Sequence, residues 1–106
     1  MIEGFTKTTI RCNGVDLAVH RAGQGQPLLL IHGFPQNHMC WESVAPQLAR
    51  RHDVIIPDLR GYGESSAPTN DPSNTTYSKR TMAQDMADLL TALDISRADV
   101  LGHDRG

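Results

Sequence analysis

The last five residues of the chain have the types and the spacing of a nucleophilic turn. Gly102-His103-Asp104-Arg105-Gly106 follows the short apolar run Val100-Leu101. Glycine two positions before and two positions after a central residue lets the backbone double back between a strand and a helix, which pushes the central side chain outward. An aspartate side chain is ionised at pH 7 without help from a base. Asp104 could therefore displace a leaving group at carbon and form an ester on the protein.

Two further turns follow apolar runs of the kind that form buried strands. His32-Gly33-Phe34-Pro35 comes after the run at 28–31, and Asp58-Leu59-Arg60-Gly61 comes after the run at 54–56. In an open α/β sheet, ligands bind beyond the carboxyl ends of the strands. We therefore expect both turns to flank Asp104 at one edge of a sheet.

The order of the predicted elements indicates an α/β fold. Residues 6–12 and 15–21 are strand candidates joined by Asn13-Gly14, which is a strong hairpin signal. Strand and helix patterns then alternate: strands at 28–31, 53–57 and 98–101, and helices at 41–50 and 78–93. Pro46 lies inside the pattern of the first helix, where a proline marks either the start of a helix or a kink. This order predicts an antiparallel hairpin that leads into a mostly parallel sheet with flanking helices.

Composition and charge exclude several classes of protein. The chain has 106 residues, a net charge of −2 and 21% charged side chains, so it offers no basic surface for a nucleic acid. Its apolar runs are too short to span a bilayer, and the N-terminus lacks the pattern of a signal peptide. Cys12 and Cys40 have no metal-ligand spacing. We expect a cytoplasmic protein with free thiols, without a cofactor and without membrane or nucleic-acid partners.

Taken together and in this order, the three turns resemble the α/β-hydrolase superfamily. The resemblance runs from about residue 5 to the end and is carried by His32-Gly33-Phe34-Pro35, Asp58-Leu59-Arg60-Gly61-Tyr62-Gly63-x-Ser65 and Gly102-His103-Asp104-x-Gly106. More narrowly, the turns are similar to those of the aspartate-nucleophile branch, which contains epoxide hydrolases and haloalkane or haloacetate dehalogenases. Epoxide hydrolases usually have tryptophan after the nucleophile. Arg105 at that position, with Tyr77-Ser78-x-Arg80, is similar to haloacetate (fluoroacetate) dehalogenases.

This resemblance implies a two-step hydrolysis of a small halogenated carboxylate by water. Asp104 would attack the carbon that bears the halogen, and water would then hydrolyse the resulting ester. The oxyanion of the second step would be held by the backbone N–H groups of Phe34 and Arg105. The Arg105 guanidinium would bind the substrate carboxylate with two hydrogen bonds and offset its repulsion from Asp104.

The other residues of these turns are expected to shape the site rather than to react. This structural group contains His32, Gly33, Pro35, Gly102, His103 and Gly106. His32 is expected to hydrogen-bond the loop that carries Phe34, and Asp58 and Arg60 to form a local ion pair. His20, His38 and His52 are expected to be ordinary surface or partly buried residues. Trp41 is expected against the sheet or the wall of the site, and Met82 and Met86 in the core.

Residues 1–106 are expected to form part of an α/β-hydrolase core domain, without the cap domain and without the C-terminal part of the core. In the resembling family, those parts supply the catalytic histidine, its acid and much of the substrate pocket. We therefore expect the isolated chain to be inactive, with an unpaired edge at its last strand, and the full-length form to be able to dimerise. Two alternatives stay open. One is an epoxide hydrolase of the same superfamily, and the other is a non-catalytic truncated hydrolase.

Overall fold

The computed structural model describes residues 2, 4–32, 38–61, 63, 65 and 79–102, and the described residues form a five-stranded sheet. The strands are β1 (Thr6–Cys12), β2 (Val15–Ala22), β3 (Gln26–Ile31), β4 (His52–Pro57) and β5 (Asp99–Gly102). The helices are a 3-10 helix (His38–Trp41), α1 (Ala45–Leu48) and α2 (Lys79–Ala92). The order of these elements along the chain confirms the predicted alternation. The strand order within the sheet is β1-β2-β4-β3-β5.

The first two strands form the predicted hairpin. They pair antiparallel from Thr6 opposite Arg21 to Cys12 opposite Val15. The two turn residues, Asn13 and Gly14, have φ angles of 49° and 80°. Positive φ at both central positions is typical of a type I′ turn, whose twist matches that of the flanking strands.

Strands β3, β4 and β5 run parallel, which aligns the three strand ends that matter for function. β4 pairs antiparallel with β2 and parallel with β3, and β5 pairs parallel with β3. The carboxyl ends of β3, β4 and β5 therefore lie at one edge of the sheet, which we call the carboxyl edge. Because β2 runs antiparallel to β4, the Asn13-Gly14 turn lies at this edge as well.

Each face of the sheet carries its own core. On the α2 face, the fully buried residues include Leu17, Leu29, Ile55 and Leu89. Met86 is buried in this cluster and Met82 packs against it, as predicted. On the opposite face, Trp41 packs with the strand residues Leu28, Leu30, Val54 and Ile56 and with Ala45 of α1. Of the two places expected for Trp41, the structure therefore supports the one against the sheet.

The first predicted helix is shorter than expected. The pattern at 41–50 forms the end of the 3-10 helix, a turn, and the four-residue helix α1, which has Pro46 in its first turn. Proline lacks an N–H and is accepted where no intrahelical hydrogen bond is required of it. The helix therefore begins next to Pro46 and does not extend through it.

The last strand lies at the edge of the described sheet. β5 contacts β3 on one side, and its apolar side chains Val100 and Leu101 are 59% and 45% exposed. This agrees with the unpaired edge expected at the last strand.

Within the described part of the chain, none of the helices has the length and apolar character needed to cross a membrane.

Candidate functional site

All of the predicted catalytic and substrate-binding residues, and most of the residues expected to shape the site, lie outside the described residues. This group contains Gly33, Phe34, Pro35, His103, Asp104, Arg105 and Gly106, and their roles stay predictions. His32 and Gly102 are described, and they mark where the two segments that contain the others leave the sheet.

The register of the parallel strands brings His32 and Gly102, the residues before these two segments, to the same edge of the sheet. Gly102, the last residue of β5, lies opposite Ile31, the last residue of β3. Leu29 lies opposite Ile55, and the same offset of 26 residues places His32 level with Asp58. His32 and Gly102 therefore both lie at the carboxyl edge, beside the turn that follows β4.

His32 is a buried structural residue, as predicted. Its side chain is 0% exposed, and its Nε2 accepts a hydrogen bond of 2.9 Å from the backbone N–H of Leu59. Because Nε2 accepts, the ring proton of a neutral His32 lies on Nδ1. The expected bond to the loop that carries Phe34 falls on residues outside the described part of the chain. The described bond links the end of β3 to the turn after β4.

The prediction that His20 and His38 lie at the surface or are partly buried was wrong. His20 is 0% exposed and His38 is 5% exposed, and their rings stack with centroids 3.7 Å apart. His38 is held by the buried carboxylate of Asp58. Its backbone N–H donates to Oδ1 at 2.6 Å, and its Nδ1 lies 2.8 and 2.9 Å from the two carboxylate oxygens. His52 is partly buried, in agreement with the expectation.

Within the described part of the chain, His20, His38 and Asp58 form a group of metal-ligating side chains whose donor atoms lie within 4.8 Å of one another. The two rings are stacked at an interplanar angle of 20°. An imidazole nitrogen binds a metal along its lone pair, in the plane of the ring. Stacked rings direct these lone pairs side by side and not towards a common ion. The Asp58 oxygens also accept hydrogen bonds from His38, so the group fits a hydrogen-bonded cluster better than a metal centre.

The backbone around Asp58 is fixed by Ser65. The Ser65 hydroxyl donates to the carbonyl oxygen of Asp58 at 2.5 Å and accepts the N–H of Ala18 at 2.9 Å. These two bonds tie the turn after β4 to strand β2. Ser65 is therefore a structural residue of this turn.

Arg60 is bound to a distant partner, which corrects the expectation that its main ion pair is a local one with Asp58. Its Nε and one terminal nitrogen lie 2.6 and 2.7 Å from the two carboxylate oxygens of Asp85 on α2. Both side chains are buried. The pair connects the turn after β4 to the helix that precedes β5, and it does so at the carboxyl edge.

An open cleft of about 550 Å³ lies at the other end of the sheet. Its lining contains Arg21, Asp53 and the Gly23-Gln24-Gly25 turn. Arg21 forms a two-point ion pair with Asp53, with distances of 2.9 and 2.6 Å, and this bond raises the pKa of the guanidinium above its usual value. The cleft is at the amino ends of β3 and β4, away from the edge where an α/β sheet binds ligands.

Cys12 and Cys40 are free thiols in the structure, as predicted. Cys12 is buried at the end of β1, next to α2, and its Sγ lies 3.8 Å from the backbone carbonyl oxygen of Asp85. Burial, followed by the charges of Asp85 and Asp88, raises its pKa from 9.0 to about 11. A thiol of this kind is a poor nucleophile, so the geometry assigns it a packing role.

Comparison with known proteins identifies the family. The profile of the α/β hydrolase fold family matches residues 26–106. A fluoroacetate dehalogenase from a Burkholderia species is 44% identical over 100% of this chain and 35% of its own length. A soluble epoxide hydrolase from Corynebacterium sp. strain C12 is 44% identical over 89% of this chain and 31% of its own length.

A solved structure agrees with these relatives. A Salmonella enterica protein, provisionally named an acyltransferase, superposes with a TM-score of 0.96 at 56% identity, over 99% of this chain and 35% of that one. The chain spans about a third of the length of each of these three proteins. The superfamily predicted from the three turns is thereby confirmed. The chain belongs to the α/β hydrolase fold family.

Proposed function

We propose that the full-length protein carrying this sequence is a hydrolase that removes the halogen from haloacetates such as fluoroacetate. The observation that supports this most directly is the parallel register of β3, β4 and β5, because it aligns at one edge the residues that precede the segments beginning at 33 and 103. These are the segments predicted to hold the oxyanion donor Phe34 and the nucleophile Asp104. The proposal concerns the full-length protein because the chain spans about a third of its relatives.

In the first step, a carboxylate oxygen of Asp104 attacks the carbon that bears the halogen. A C–O bond forms, the carbon–halogen bond breaks, and the halide leaves with the bonding electron pair. In the second step, water attacks the carbonyl carbon of the aspartyl ester while a base takes its proton. The acyl C–O bond then breaks, which releases glycolate and restores the Asp104 carboxylate. The backbone N–H groups of Phe34 and Arg105 hold the oxyanion that forms in this second step.

Arg105 favours a halogenated acid over a neutral substrate. A haloacetate carries its own negative charge, which repels the attacking carboxylate. A guanidinium next to Asp104 offsets this repulsion and binds the substrate carboxylate at two points. The whole-chain match to a fluoroacetate dehalogenase supports this choice.

Epoxide opening is the second candidate, because a soluble epoxide hydrolase matches at the same identity over a slightly shorter stretch. It uses the same attack by Asp104 but needs acidic donors for the alkoxide that forms on ring opening. The name of the Salmonella protein does not favour acyl transfer here. An aspartate would form a reactive anhydride with an acyl donor instead of a simple ester.

The test is to supply the purified full-length protein with fluoroacetate and, separately, with the neutral epoxide styrene oxide. We expect equal amounts of fluoride and glycolate, and loss of this activity in Asp104→Asn. Arg105→Gln should raise the KM for fluoroacetate by about tenfold or more, because it removes a charged two-point contact. Arg105→Lys keeps the charge but loses the two-point geometry of the guanidinium. Its KM for fluoroacetate should therefore lie between that of the wild type and that of Arg105→Gln.

The other outcomes decide between the alternatives. If the protein forms a diol from styrene oxide but releases no fluoride from fluoroacetate, the epoxide hydrolase alternative would replace the proposal. Absence of both products would favour the non-catalytic hydrolase.

A further inference from the structure

We infer that Asp58 and His32 are positioning residues for the second step of the proposed reaction, because the turn after β4 binds His32 and His38, the two residues that flank the segment 33–37. This inference rests on the proposed function, in which that segment carries the oxyanion donor Phe34.

The first end of the segment is bound through His32. Its Nε2 accepts the backbone N–H of Leu59 at 2.9 Å. The second end is bound through His38, whose backbone N–H donates to the Asp58 carboxylate at 2.6 Å and whose Nδ1 lies 2.8 Å from the same oxygen. Asp58 and Leu59 are neighbours in the chain, so two successive residues of one turn hold the two ends of a five-residue segment.

The turn itself is fixed. Asp58 and His32 are both 0% exposed, and the Asp58 carbonyl accepts the Ser65 hydroxyl. Gly63 approaches the Asp58 carboxyl so closely that a β-carbon at this position would overlap with it. Buried charge-assisted hydrogen bonds are stronger and shorter than neutral ones, and little room is left for the carboxylate to move. The two ends of the segment therefore keep a constant separation.

A constant separation matters in one of the two chemical steps. In the first step the negative charge moves to the departing halide, so the oxyanion donors contribute little. In the second step the charge develops on the carbonyl oxygen of the Asp104 ester, and a donor must lie about 3 Å from it. A displacement of about 1 Å at such a donor reduces the rate substantially. Loosening either end should therefore slow ester hydrolysis more than ester formation.

The experiment measures the two steps separately in the full-length protein. Quenched-flow mass spectrometry with fluoroacetate gives the rates at which the ester forms on Asp104 and decays. In Asp58→Asn, which keeps the size of the side chain but loses its charge, we expect decay to slow by about tenfold or more. Ester formation should change by less than about twofold, so that the ester accumulates.

A pair of His32 variants gives an independent test if Asp58→Asn does not fold. His32→Leu keeps the apolar volume but removes the acceptor for the Leu59 N–H. His32→Gln places an amide oxygen near the position of Nε2. We expect the leucine variant to slow ester decay and the glutamine variant to restore most of the wild-type rate.

Asp53→Asn is the matched control. Asp53 lies at the start of β4, roughly 17 Å from Asp58 along the strand, and its partner is Arg21. The same loss of a paired carboxylate there should leave the ratio of the two rates unchanged. Equal slowing of both steps, or no slowing, in the Asp58 and His32 variants would overturn the inference and leave the proposed function intact. Absence of both ester and halide in the wild type would contradict the proposed function itself.

Discussion

The guanidinium of Arg60 and the carboxylate of Asp85 form a buried two-point salt bridge with distances of 2.6 and 2.7 Å. Arg60 also donates to the backbone oxygen of Asn13 at 3.2 Å, and the Asn13 amide donates to Asp85 at 2.8 Å. These contacts join the hairpin turn, the turn after β4 and helix α2. All three meet at the carboxyl edge, so the same contacts that stabilise the fold also set the frame of the predicted site.

Replacing Asp85 tests how much this salt bridge contributes to the free energy of unfolding. Asp85→Asn leaves the Arg60 charge buried without its carboxylate partner, and breaking a buried pair in this way costs about 3–5 kcal/mol. We expect the free energy of unfolding of the full-length protein, measured by urea denaturation, to fall by that amount. Asp88→Asn is the control on the same helix, since Asp88 accepts a hydrogen bond from Gln84 at the surface. It should change stability by less than about 0.5 kcal/mol. Similar losses in both variants would contradict this account.

Two glycines with positive φ allow the stability cost of backbone strain to be compared with the added cost of steric overlap. Gly14 has φ +80° and nothing within 4 Å of the place that a β-carbon would occupy, whereas Gly63 has φ +53° and lies against the Asp58 carboxyl. Gly14→Ala should cost about 1 kcal/mol, which is the strain of a left-handed conformation. Gly63→Ala should cost more, because the new methyl group displaces Asp58. Thermal unfolding of the two variants checks this order, and an equal fall in Tm would mean that Asp58 moves aside freely.

Cys12 should resist chemical modification in the folded protein. With its pKa raised to about 11, the thiolate is rare at pH 8. Iodoacetamide at that pH should label the half-buried Cys40 first, and Cys12 only after unfolding in urea. Peptide mass spectrometry measures the two sites separately. Labelling of Cys12 at the rate of Cys40 would be inconsistent with its burial.

The same thiol predicts a change of stability with pH. Its pKa in the folded state lies above the ordinary value of 9.0, so the folded state binds the proton more tightly than the unfolded state does. The contribution of Cys12 is complete below about pH 9 and is lost as the pH rises towards 11. Urea denaturation between pH 8 and 11 should show this decline in the wild type and a weaker one in Cys12→Ala. Identical slopes in the two proteins would contradict the prediction.

The parts of the fold that were predictable from sequence depend on local signals. Asn13-Gly14 specifies a turn by its backbone preference, and the apolar spacing at 78–93 reproduces α2 within a residue or two. The missed contacts join distant segments. His38 meets Asp58 across 20 residues, and Arg60 meets Asp85 across 25. A polar residue on a strand or in a turn has the same local pattern whether tertiary contacts bury it or not.

Two details illustrate this limit. His20 lies on the same face of β2 as Ala18, and the ring of His38, which is distant in sequence, stacks on it. The proline-containing segment at 41–50 had a helical pattern, but Pro46 confined the helix to four residues. The parallel pairing, in contrast, was predictable from the alternation of strands and helices. The ends of β3, β4 and β5 lie together as expected.

The central claim is that an oxygen of Asp104 bonds to the substrate carbon, and a single turnover in water labelled with oxygen-18 tests it most directly. The full-length protein, in excess over fluoroacetate, is allowed to react for a single turnover. Mass spectrometry then measures the masses of its peptides and of the glycolate. The account predicts the label in the Asp104 carboxylate and unlabelled oxygen in the new hydroxyl group of glycolate, because water attacks the aspartyl carbonyl carbon. Label in the glycolate hydroxyl, with Asp104 unlabelled, would contradict it.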